Sequence, residues 1–195
     1  INQIALGISA AGTLVPPEGL HIWGDSLMVA DTAAHRIVSY PPFDEWPDEQ
    51  KQFSPSMNRV IGQLNFTSGE SNAGKHEPWS DTLSLPTAIS SNATTGEIFV
   101  ADSGNNRVLR LAGAPNFNQA MQVFGQIGYS YGTPNLIEGR EFYFFSGLSA
   151  IAGVSGSYVN GGGITFDGDH FYVADTFNHR VLGYRDLRTM TTGGR

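Results

Sequence analysis

A nine-residue segment returns three times in this chain, and its spacing constrains the fold more than any other feature. It reads Val29-Ala30-Asp31-Thr32-Ala33-Ala34-His35-Arg36-Ile37, then Val100-Ala101-Asp102-Ser103-Gly104-Asn105-Asn106-Arg107-Val108, then Val173-Ala174-Asp175-Thr176-Phe177-Asn178-His179-Arg180-Val181. Successive copies start 71 and 73 residues apart. Self-similarity at a near-constant period signals a chain built from one supersecondary unit, stacked so that neighbours bury each other's apolar faces. Residues that return in every unit are expected to build the unit. Asp31, Arg36, Asp102, Arg107, Asp175 and Arg180 therefore read as a structural repeat signature. The Asp ends one strand, the Arg begins the next, and the two face each other across a hairpin where a carboxylate accepts loop N–H groups and a guanidinium bridges it.

Alternation and turn residues divide each unit into short strands. In the second unit these are Thr87–Ser90, Glu97–Ala101, Arg107–Leu111 and Gln122–Gln126, with turns at Asn92-Ala93-Thr94-Thr95-Gly96 and Ser103-Gly104-Asn105-Asn106. In the first they are Gly19–Trp23, Ser26–Ala30, Arg36–Tyr40 and Arg59–Gln63; in the third, Gly163–Phe166, His170–Ala174 and Arg180–Tyr184. Four short antiparallel strands in succession form a meander, the shape of one propeller blade. The first copy carries Ala33-Ala34-His35 where the second has Gly104-Asn105-Asn106, a less typical turn for a hairpin.

The run Phe99-Val100-Ala101-Asp102-Ser103-Gly104-Asn105-Asn106-Arg107-Val108-Leu109 resembles the core of an NHL repeat, the module of NHL β-propellers. Val60-Ile61-Gly62-Gln63-Leu64-Asn65-Phe66, leading to Leu83-Ser84-Leu85-Pro86, is similar to the long inter-blade connection of bacterial NHL-repeat proteins. The resemblance implies an all-β propeller of NHL type. On this division the blades are 18–63, 86–126 and an incomplete 162–195, with 64–85 and 127–161 as inter-blade loops and 1–8 as the last strand of a preceding blade. About three blades are half of the six that such rings commonly hold, and closed propellers take four or more. The remaining blades are expected from a longer chain, from self-association or from a second chain. The non-Met first residue is expected of a processed form or a fragment.

The second connection is longer than the first and holds Phe142-Tyr143-Phe144-Phe145. Loop aromatics are where repeat proteins often place partner contacts, so Phe142, Tyr143, Phe144 and Phe145 are candidate partner-binding residues. The competing reading folds them over the blade edge as extra core.

The formal charge of −7, with Lys51 and Lys75 the only lysines, argues against a nucleic-acid partner. The apolar stretch Phe142–Val159 is interrupted by glycines and serines and gives no membrane span. Absence of cysteine excludes disulfides and thiolate chemistry. His35 and His179 share one repeat position, but zinc needs three or four converging ligands, and the second repeat has Asn106 there. Both are expected to be solvated turn residues, with no metal and no cofactor. Asp167-Gly168 reads as a hairpin turn rather than a calcium loop. Asn65-Phe66-Thr67 and Asn92-Ala93-Thr94 fit the N-glycosylation acceptor pattern.

The expected function is a non-catalytic binding or scaffolding module, extracellular, periplasmic or at the cell surface, presenting propeller loops to a protein or glycan. The alternative is a propeller lyase or hydrolase. NHL-fold peptidyl-amidating lyases place histidines on a metal near the ring axis, so this alternative follows from the resemblance.

Overall fold

The structure, a computed structural model, describes residues 17–48, 50–52, 54–113, 117–134, 141–145, 149–150, 157–158, 161–168, 170–185 and 187. The expected strand at 1–8 lies outside them. Two four-stranded antiparallel meanders and one three-stranded meander carry the three copies of the signature. The first blade is β1 (Gly19–Trp23), β2 (Ser26–Asp31), β3 (Arg36–Tyr40) and β4 (Arg59–Ile61). The second is β5 (Pro86–Ser91), β6 (Ile98–Asp102), β7 (Arg107–Leu111) and β8 (Ala120–Phe124). A two-residue ladder, β9 (Ser149–Ala150) with β10 (Ser157–Tyr158), lies in the second connection. The third blade is β11 (Gly163–Phe166), β12 (Phe171–Asp175) and β13 (Arg180–Tyr184). Helix among the described residues is limited to short 3-10 turns, and none is long and apolar enough to cross a membrane.

The blades stand side by side, with β5 packed against both β1 and β11. The period-two alternation of each strand aims one set of side chains at each neighbouring blade. Met28, Ala30, Ile37 and Ile61 of the first blade meet Ile89, Ile98, Val100 and Leu109 of the second in one buried cluster. Phe99, Val108 and Phe124 point the other way and meet Phe171 and Val173 of the third. At the far end of the first interface, Trp23 Nε1–H donates to the Gly96 carbonyl at 3.0 Å. There Trp23 also packs edge-on to Phe117, and the Arg59 guanidinium lies 3.8 Å from the Phe117 ring centroid.

Observed strands differ from expectation mainly at their ends. The fourth strands stop at Ile61 and Phe124 rather than at Gln63 and Gln126. Gly62 and Gly125 follow with φ of 89° and 78°, which turns the chain out of the sheet. At Gly125 a side chain would also collide with Phe142, since an added Cβ would lie 2.2 Å from its Cδ2. The Asp of each signature is the last residue of its strand.

The atypical turn of the first copy adopts the same hairpin as the others. In all three, one 3-10 turn follows the Asp, and the residue before the Arg is left-handed: His35 at φ 53°, Asn106 at 50° and His179 at 51°. Asn tolerates this region readily and histidine is also enriched there among non-glycine residues.

Candidate functional site

The three Asp–Arg pairs sit at one end of the blades, where the 3-10 hairpins and the inter-blade connections meet. Asp31 pairs with Arg36 at 2.8 Å, Asp102 with Arg107 at 2.7 Å and Asp175 with Arg180 at 2.7 Å, each through carboxylate Oδ2 and guanidinium Nε. Each pair also joins the ends of its two strands in register.

The remaining valences go to the connections. Asp102 Oδ1 accepts the Ser84 amide at 2.6 Å, and Asp175 Oδ1 accepts the Tyr143 amide at 2.7 Å. Arg107 Nη2 donates to the carbonyls of Trp79 and Thr82, and Arg180 Nη2 to that of Glu141. These are contacts with the connection entering the blade. Arg36 and Arg107 also donate through Nη1 to the connection leaving it, at the carbonyls of Phe66 and Tyr129. The pair is thus a clasp on two levels, closing its own hairpin and fastening the segments that join adjacent blades. Burial makes this consequential: an unpaired guanidinium or carboxylate here would face a desolvation penalty that only these partners offset.

Two further repeat positions complete the fastening. Gln63 Nε2 donates to the carbonyls of His35 and Glu70, and Gln126 Nε2 to those of Asn106 and Thr133. The residue before the Arg grips the next connection: His35 Nδ1 accepts the Leu85 amide at 3.0 Å, while Asn106 Oδ1 accepts the amides of Phe144 and Phe145 at 2.8 and 3.0 Å. Hydroxyls next to the Asp do likewise. Thr32 donates to the Pro86 carbonyl, and Ser103 accepts the Gly162 amide. Sequence reasoning missed the roles of Gln63, Gln126, His35 and Asn106. The repetition of Gly-Gln after each fourth strand was the signal for the first two.

Phe142 and Phe144 do not form a partner surface. Both are fully buried, stacked at 5.0 Å between centroids, and belong to the cluster between the second and third blades. Their large apolar area and the Gly125 approach draw them inward. Tyr143 is half-buried against Phe177 at 5.0 Å, and Phe145 is half-buried as well. Among the described residues, the large apolar side chains exposed on the connections are instead Leu64, Phe66, Trp79, Ile127 and Tyr131. Leu64 and Ile127 occupy the same repeat position, directly after the glutamine, at 85% and 65% exposure.

His35 is not the solvated turn residue expected. Burial pushes its imidazole below the ordinary histidine range, against the opposing pull of the Asp102, Asp31 and Glu70 carboxylates. His179 is exposed. Among the described residues no group of three His, Cys, Asp or Glu side chains converges as a metal set. Asp167-Gly168 forms the turn between β11 and β12, with Gly168 at φ 102° and Asp167 Oδ1 accepting the His170 amide at 3.0 Å.

The NHL-repeat family profile matches residues 83–111. The chain carries an NHL repeat. The matched NHL segment runs through β5, β6 and β7 and contains the Asp102–Arg107 clasp with its grip on Ser84. The three meanders have the form of propeller blades, and the second holds the matched NHL repeat. Among solved structures, selenomethionine-substituted virginiamycin B lyase from Staphylococcus aureus is similar at 13% identity and a TM-score of 0.39. The alignment covers 91% of this chain and 47% of that one, so the chain spans about half the length of that protein. No curated protein matches the chain.

Proposed function

We propose that the chain is a binding module, a propeller portion that presents its clasp-end connections to a protein or glycan partner. The observation that carries this reading is a division of labour. The polar groups common to the repeats are spent on joining blades. Among exposed polar residues such as Asn65, Glu70 and Glu77, the connections also leave large apolar side chains on the surface, with Leu64 and Ile127 repeated at one position. Exposed apolar side chains grouped on scaffolded loops are the usual material of interaction surfaces. An extracellular, periplasmic or cell-surface setting is part of the proposal, in keeping with the polar, lysine-poor composition rich in Asn, Thr and Gly.

A further blade, supplied by this protein or by another chain, completes the proposal. It would cover the outward face of the third blade, where Val181 is 70% exposed. The equivalent residue of the second blade, Val108, is fully buried against the next blade.

The test is a protein and glycan binding screen run in parallel on the natural chain and on a Leu64→Ser/Ile127→Ser double variant, with metal analysis of both. The binding reading expects a ligand that the natural chain holds and the folded double variant loses. Stoichiometric metal, lost together with a lyase or hydrolase activity in a His35→Ala/His179→Ala variant, would overturn it in favour of a propeller enzyme.

A further inference from the structure

Each inter-blade connection contains adjacent amides held from both sides. In the second connection the third blade's Asp175 accepts the Tyr143 amide, and the second blade's Asn106 accepts those of Phe144 and Phe145. In the first, the second blade's Asp102 accepts the Ser84 amide, and the first blade's His35 accepts that of Leu85. The grip from the preceding blade thus uses a carboxamide oxygen in one connection and an imidazole nitrogen in the other. A carboxamide accepts at every pH. An imidazole nitrogen accepts only while it is unprotonated, and here that nitrogen is Nδ1, which leaves the ring proton on Nε2.

We propose that His35 is an acid-sensitive latch between the first and second blades: its protonation releases the Leu85 amide and frees the end of the connection, while the Asn106 grip between the second and third blades is unaffected. Protonated Nδ1 would present N–H to N–H, turning an attraction into a repulsion. Leu85 is held at φ 47°, a left-handed conformation that a branched residue adopts only when its surroundings impose it. Release lets it relax. The charged groups acting on the ring are Asp102 at the end of β6, Asp31 at the end of β2 and Glu70 in the connection, and Arg36 is its neighbour in the chain. The three carboxylates favour the imidazolium, but burial outweighs them.

The sign follows from linkage. A histidine harder to protonate folded than unfolded contributes stability that is intact above the ordinary histidine pKa, about 6.5, and lost as pH falls below it. Farther along the same two blades, His21 Nε2 lies 2.8 Å from Ser91 Oγ, and burial lowers its pKa too, so it adds to the acid sensitivity of this junction.

The experiment is a titration of the whole chain from about pH 7.5 to about pH 5, a range that brackets histidine ionisation. The His35 ring and the Leu85 amide are followed by NMR, and thermal midpoints are measured beside a His35→Asn variant that copies Asn106. The proposal expects the Leu85 amide to shift along the His35 titration curve. It also expects the natural chain to lose about 2–4 °C more than His35→Asn across the range. A Leu85 amide indifferent to His35 ionisation, or an equal acid loss in the variant, would overturn it. If His35→Asn does not fold, His35→Gln and the Leu85 titration of the natural chain decide the matter.

Discussion

The second and third blades carry the same signature in opposite surroundings. In the second, every residue of β6 is buried, because neighbouring blades cover both faces. In the third, buried and half-buried residues alternate along β12, and among the described residues only the face toward Phe99 and Phe124 is packed. The Asp–Arg distance is 2.7 Å in both, yet the Arg107 side chain is fully buried and that of Arg180 is 30% exposed. Hairpin geometry is therefore intrinsic to the repeat, whereas the energetic weight of the clasp is conferred by the neighbouring blade.

The comparison can be broken most forcefully at Arg107. Its replacement by Ala leaves Asp102 charged in a dry site and strips the donor from the Trp79, Thr82 and Tyr129 carbonyls. Urea unfolding should show a loss of about 3–5 kcal/mol. Phe99→Ala, at the centre of the interface between the second and third blades, should cost a similar ~3–5 kcal/mol through the cavity it opens. Gly125→Ala should cost about 1–3 kcal/mol by driving a Cβ into Phe142 from a positive-φ position. Arg180→Ala should cost about 1–3 kcal/mol, less than Arg107→Ala, because the Arg180 side chain is 30% exposed and serves the Glu141 carbonyl where Arg107 serves those of Trp79, Thr82 and Tyr129. Tyr172→Ala, at the repeat position equivalent to Phe99 but on the outward face, should stay within about 1 kcal/mol.

Much of this was legible in the sequence because the repeat registers itself. The three copies fix which strands pair and where the hairpins fall, and Asp102 and Arg107 announce their contact by closing a five-residue interval in each copy. What escaped was the direction of loop side chains. Phe142 and Phe144 sit on a connection with no periodicity, so nothing in their order distinguishes a partner-facing from an inward aromatic. Only the approach to Gly125 and the packing on Phe171 and Val173 settle it. His35 escaped for a related reason. Its partner is a backbone amide 50 positions away, and an amide leaves no mark in residue identity. Gln63 and Gln126 bond to carbonyls and were equally silent, although their matching positions marked them for attention.

The central claim is that the repeated Asp and Arg fasten blades rather than contact a ligand. Side-by-side equilibrium unfolding of Arg107→Lys and Arg180→Lys tests it most directly, since Lys keeps the charge but lacks the multiple N–H donors that reach the connections. The account predicts a stability loss at Arg107 several times that at Arg180, with any ligand affinity kept by the folded Arg180→Lys protein. Equal, small losses at both positions, together with abolished ligand binding, would contradict it.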